Sequence, residues 1–235
     1  MADELTSYLY DHFKMTLTPS QKDAVEALHG PICVISCPGS GKTTVTVIRL
    51  ANLMVKGGVS PQQILALTFS KASAKDMNDR FKSLFPSLAN HVKFATIHSF
   101  AFHIIRHFEQ ISGTRYEFID TPNQMTHSKR QLLASIYLEK SERYLSDDEY
   151  ETITGQISLL KNLMIEPHQT TEIKKYVENE VELFIQVYKA YEQKKEANFF
   201  LDYDDLLTTA YQILIHQAEL RTFYQQRYTH IQIDE

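Results

Sequence analysis

Cysteine, long apolar runs and excess positive charge are what this sequence has least of. Only two cysteines occur, Cys33 and Cys37, so a disulfide framework is excluded and free thiols in a reducing compartment are expected. Their C-x-x-x-C spacing has no second ligand pair to complete a metal site. No apolar run comes near the roughly 18 to 20 residues that cross a bilayer; the stretch from Ile32 to Ser36 is typical. Met1 to Tyr10 holds acids and no basic cluster leading into an apolar stretch, so a secretion signal is not expected. No membrane association and a cytoplasmic location are the corresponding expectations. The formal net charge is -5, whereas binding to a nucleic-acid backbone relies on basic side chains. A local groove with stacking aromatics can still hold single strands, so composition leaves nucleic acid undecided.

What is present is an ordinary globular composition, 43% hydrophobic and 23% charged. At 235 residues the chain can form one large α/β domain or a core domain carrying a smaller insertion. The first half alternates apolar strand-like runs with helical patterns, the rhythm of a parallel sheet. Strands are expected at Pro31 to Ser36, Ile64 to Phe69 and Val92 to Thr96. Helices are expected at Leu17 to Leu28, Lys42 to Met54, Ser73 to Phe85 and from about Ser99 to Glu109, with Ser99 as an N-cap. From about Asn123 to Lys195 the pattern becomes helical, clearest at Ser158 to Met164 and Glu172 to Glu196. Ile173, Val177, Val181, Phe184, Val187, Tyr188 and Tyr191 recur every three or four residues and should pack on one face. A helix from Tyr203 to His216 and a strand from Thr229 to Ile233 then restore α/β character. The simplest account is a helical insertion into a parallel-sheet domain.

The chemistry concentrates at SCPGSGKT, Ser36 to Thr43, which follows an expected strand and opens an expected helix. Glycines let backbone amides and a helix N-terminus close around phosphate charge. Cys37, Pro38, Gly39, Ser40, Gly41, Lys42, Thr43 and Thr44 are the expected nucleotide-binding residues. Lys42 would reach the β- and γ-phosphates and the Thr43 hydroxyl would ligate Mg²⁺. The G-x-x-x-x-G-K-[ST] pattern wants glycine where Ser36 stands, and the strand-loop-helix context offsets that departure. Ile231 to Glu235, IQIDE, ends an apolar strand with two carboxylates. Asp234 would hold the metal and Glu235 would polarise an attacking water, making Lys42, Asp234 and Glu235 the catalytic candidates.

Taken together these segments resemble the superfamily 1 DNA helicases of the UvrD/Rep type. LTPSQ, Leu17 to Gln21, is similar to that family's adenine-reading motif, in which Gln21 is the matching amide. LTFSKASAKDMNDR, Leu67 to Arg80, resembles the family's LTFTNKAAxEMxxR, with Ser70 and Lys71 in place of Thr-Asn. TIHSF, Thr96 to Phe100, is similar to TFHS, and LDYDDLL, Leu201 to Leu207, to DFDDLL. The closing IQIDE matches the opening of DExQD. The resemblance covers essentially the whole chain, although 123–195 matches in helical character alone.

The resemblance implies a RecA-like P-loop core with a parallel sheet and an inserted all-helical subdomain. Residues 1–112 would begin motor domain 1A, 113–200 would form subdomain 1B and 201–235 would return to 1A. It implies ATP and Mg²⁺ as cofactors, and single-stranded DNA and strand/duplex junctions as partners, met through Phe69, Ser70, Lys71, Thr96 and His98. The implied activity is ATP-driven 3′ to 5′ movement and duplex unwinding. Asp204 and Asp205 are assigned only the helix N-terminal position that suits acids. Groups supplied by the family's second motor domain are not in this sequence, so a front part, inactive in isolation, is expected. In the family's sheet a further strand lies between Pro31 to Ser36 and Thr229 to Ile233, and its place is expected to be taken by the missing remainder of the helicase chain. A helicase-like subunit of a recombination or nuclease complex, a P-loop small-molecule kinase and a non-catalytic scaffold are the alternatives.

Overall fold

The computed structural model describes residues 2–88, 92–120 and 128–234, and they form two compact units, Met1–Phe100 with Ala218–Glu235, and Ala101–Gln217. Glu235 lies outside the described residues. No described helix is long and apolar enough to cross a membrane.

In the first unit, α1 (Ala2–Phe13) and α2 (Pro19–Glu26) precede the phosphate loop, and α3 (Lys42–Val55) follows it. Thr18 starts α2 with a capping box completed by Gln21, and Pro19 occupies a position where its missing N–H costs nothing. Next come β1 (Ile64–Thr68), α4 (Lys71–Leu84), β2 (Phe94–Thr96) and the first turn of α5 (Ile97–Ser112). The sheet order is β2-β1-β5, all parallel, where β5 is the closing strand His230–Asp234. β1 is buried along its whole length because strands flank it on both sides. Val47, Ile48, Leu50 and Ala51 of α3 are fully buried, and Met77 and Phe81 of α4 nearly so, in the core that carries this sheet.

One expected strand is absent. Residues 31–37 form no ladder, and Ile32, Val34 and Ile35 are exposed, Ile35 at 93%. A strand exists only where a neighbour takes its backbone hydrogen bonds, and β5 pairs with β1 alone among the described residues. Residues 31–36 and β5 therefore do not pair with each other.

Among the described residues the second unit is helical apart from one short parallel pair, β3 (Glu117–Phe118) with β4 (Phe200–Leu201). Its helices are the remainder of α5, then α6 (Lys129–Ser141), α7 (Asp147–Asn162), α8 (Thr170–Ile173), α9 (Val181–Asn198) and α10 (Asp205–His216). α11 (Ala218–Arg227) returns the chain to the first unit. The continuous helix expected over Glu172 to Glu196 is instead two, separated by residues 174–180, which leave the helix and end in the left-handed Glu180 at φ 44°. The apolar stripe survives the break: Ile173, Val177, Phe184, Val187, Tyr188 and Tyr191 are all buried, with Val181 packed against them.

The acids of LDYDDLL stand at the helix N-terminus as expected, Asp204 at the N-cap position of α10 and Asp205 in its first turn, and they carry a further task. Asp204 makes no capping hydrogen bond at α10; its carboxylate accepts from Lys129 and Ser158. Asp202 and Asp205 exchange backbone-to-carboxylate bonds at 2.8 and 3.0 Å and together receive the buried ammonium groups of Lys161 and Lys195. Burial alone would raise the Asp202 carboxyl, but Lys195, Lys161 and Lys129 outweigh it and hold it well below the usual range. Burial and the charge of Asp202 push Asp205 the other way. Four residues of turn thus fasten α6, α7 and α9 together.

Candidate nucleotide site

Gly39 and Gly41 take left-handed backbone, φ 78° and 85°, which lets the loop turn sharply into α3. With Gly41 as N-cap and no side-chain cap, the first amides of α3 stay available to an anion. Lys42 lies back along the loop, donating to the Ser36 and Cys37 carbonyls at 3.4 and 3.3 Å. Ser40 N–H closes the turn onto the Cys37 carbonyl at 3.2 Å. The Ser36 hydroxyl, where the pattern prefers glycine, is buried without a hydrogen-bond partner among the described residues.

Across the unit, the Thr43 hydroxyl donates to Asp234 Oδ2 and the Thr46 hydroxyl to Asp234 Oδ1, both at 3.4 Å. Gln232, two residues earlier on the same face of β5, donates to the Thr46 carbonyl at 2.9 Å. These contacts bring together residues 191 positions apart in sequence. A hydroxyl and a carboxylate at this separation, beside a helix N-terminus and an ammonium, form a donor set that would suit a hard cation.

Thr46, Gln232 and Arg80 were not singled out from sequence. The i, i+3 spacing of Thr43 and Thr46 on one helix face, and the i, i+2 spacing of Gln232 and Asp234 on one strand face, carried the signal for the first two. Arg80 donates to the Thr44 hydroxyl at 2.9 Å and pairs with Asp76; nothing local in sequence points from α4 to Thr44.

Gln21 is fixed at both ends of its amide. Its Oε1 accepts from Thr18 N–H and its Nε2 donates to the Ser40 carbonyl, both at 2.9 Å.

The remaining candidates lie at the C-terminal ends of β1 and β2. Phe69 follows β1 with 72% of its surface exposed, so it is not a core residue. Ser70 caps α4 by accepting from Ser73 N–H at 3.0 Å, and Lys71 is the first helical residue, exposed. Thr96 is buried, and its hydroxyl accepts from Ser99 N–H at 3.1 Å. The cap of α5 is therefore Thr96 and not Ser99, because the helix begins two residues earlier than its polar pattern suggests. His98 is half-buried in the first turn of α5.

The profile of the UvrD/REP helicase N-terminal domain matches residues 17–235. The chain is 31% identical over 233 residues to the ATP-dependent DNA helicase PcrA of Bacillus subtilis (strain 168), covering 97% of this chain and 30% of that protein. It is 30% identical to the PcrA helicases of Leuconostoc citreum, over 92% of this chain and 28% of theirs, and of Staphylococcus aureus (strain NCTC 8325 / PS 47), over 93% and 29%. It thus spans about 30% of the length of the curated relatives it matches. With a phosphate loop, an aspartate strand facing it and an inserted helical body in one chain, the sequence match and the geometry agree: the chain belongs to the UvrD/REP helicase N-terminal domain family.

Proposed function

We propose that this chain is the nucleotide-binding front part of an ATP-dependent DNA helicase, coupling Mg-ATP hydrolysis to 3′ to 5′ movement on single-stranded DNA and to duplex unwinding. The observation that carries the reading is the convergence of Thr43 and Asp234, from opposite ends of the chain, beside the loop of Lys42. Residues 1–112 and 201–235 act as motor domain 1A and 113–200 as subdomain 1B. Cys37 to Thr44 cradle the phosphates, through backbone N–H groups at every position but Pro38, and Lys42 leaves the loop carbonyls to neutralise charge on the transferring phosphoryl group. Thr43 and Asp234 hold Mg²⁺, which when bound draws electron density from the phosphate oxygens. Glu235 orients and deprotonates the attacking water. Gln21 reads adenine through its amide. Phe69 stacks on a base, and Ser70, Lys71, Thr96 and His98 line the strand's path at the C-terminal ends of the parallel strands, where open α/β sheets place ligands.

The test is ATP hydrolysis by the complete protein containing this segment, with and without single-stranded DNA. Stimulation by DNA is expected, with loss of most hydrolysis in Lys42→Ala and slow hydrolysis with retained ATP binding in Glu235→Gln. Equal rates in the parent and both variants under saturating DNA would overturn the assignment. Hydrolysis indifferent to DNA would overturn the coupling to single-stranded DNA.

A further inference from the structure

The Gln21 amide faces two obligations before any base arrives. Thr18 N–H is a donor, so the group it meets must be Oε1, and the Ser40 carbonyl is an acceptor, so the group it meets must be Nε2. The amide's orientation is therefore dictated by the protein. A carboxamide offers two N–H groups and two lone pairs, so one donor and one acceptor remain uncommitted.

Ser40 is the residue between the two left-handed glycines, at the apex of the phosphate loop. Its carbonyl is the point at which α2 grips the loop from outside, while Ser40 N–H and the Lys42 ammonium bind the loop to itself. Gly41 leaves room for this grip: a Cβ there would come within 3.2 Å of Gln21 Nε2.

We propose that Gln21 is a positioning residue for the phosphate loop, its Nε2 clasping the Ser40 carbonyl so that phosphate affinity, and not base recognition alone, depends on this side chain. The inference deepens the proposed nucleotide site and rests on it. The clasp orders the apex before binding, so less conformational freedom is lost when phosphate arrives. It also fixes which end of the amide each remaining hydrogen-bonding position belongs to, and so sets the pattern of base that can be accepted.

The experiment titrates the complete protein containing this segment with magnesium and inorganic tripolyphosphate, which has no base, and in parallel with Mg-ATP. Parent, Gln21→Ala and Gln21→Met are compared, the last retaining bulk without an amide. Thermal unfolding confirms that each is folded. Both variants are expected to weaken tripolyphosphate by about two- to tenfold, the weight of one net hydrogen bond, and ATP by at least as much. Unchanged tripolyphosphate affinity alongside weakened ATP overturns the clasp and leaves Gln21 a base reader. A parent that binds neither probe overturns the phosphate-site reading itself.

A ligand-free measurement then still decides the clasp. Cys33 and Cys37 are both free and exposed, so in a Cys33→Ser background the rate of thiol labelling at Cys37 reports loop order. Faster labelling on removing the Gln21 amide supports the clasp, and equal rates overturn it.

Discussion

Phe69 and Asp202 show how differently two residues of one chain are used. Phe69 keeps 72% of its surface exposed at a strand end, so Phe69→Ala should leave thermal stability nearly unchanged. If a base stacks there, the same change costs roughly 1 to 3 kcal/mol of single-strand affinity, measurable by fluorescence titration with a labelled oligonucleotide; intact affinity would remove Phe69 from the path. Asp202 is fully buried among three ammonium groups. Removing one partner of such a network strands the others, at a cost of about 3 to 5 kcal/mol, so Asp202→Ala should lower the denaturant midpoint far more than Phe69→Ala. The pH dependence follows from its lowered carboxyl. Stability from a depressed carboxylate is present above the unfolded value, near 3.9, and is lost as pH falls toward the folded one. Unfolding monitored from pH 7 downward should therefore show an added loss below about pH 4 that is missing in Asp202→Ala; identical acid limbs would contradict the assignment.

Helices and paired strands were legible from sequence to the extent that their ends carry local chemistry. β1 is a closed apolar run and α2 opens at Pro19, the residue expected at its start, whereas α4 begins at Lys71, ahead of the expected Ser73, because Ser70 caps it by accepting from Ser73 N–H. The same chemistry starts α7, where Ser146 and Glu149 complete a capping box, and where hydrogen bonds from Ser146 and Tyr137 hold Glu149 down to about 2. Ser146→Ala should cost about 1 kcal/mol, read as a shift in denaturant midpoint; a change indistinguishable from zero would show the box idle. Three features were not legible, each for a stated reason. Residues 31–37 have strand composition, but pairing is a property of neighbours and not of composition. The break at residues 174–180, which ends in the left-handed Glu180, lies inside an unbroken apolar period. The burial of Lys161 is set by acids more than forty residues along the chain, and that of Lys195 by Asp202 and Asp205 across the turn into α10, which no helical or strand period reports. At the site, the phosphate loop was readable because its glycines and lysine are contiguous, whereas Thr46, Gln232 and Arg80 act through contacts between distant segments.

At the scale of the molecule, the parallel sheet of the first unit has two edges among the described residues, β2 and β5, on either side of β1. The outward face of β5 is apolar, with Ile231 and Ile233 about 60% exposed. A parallel strand bonded on one side only directs alternate amides toward its partner and the rest away from it. Deuterium uptake along His230–Asp234 should accordingly split into two classes on neighbouring residues, slow where β1 accepts the amide and fast where nothing does. β1, bonded on both sides, should exchange slowly throughout. Uniformly slow uptake in β5 that disappears on dilution would mean that two copies cover each other's edge, and the protein would then keep an isotopic record of its own concentration.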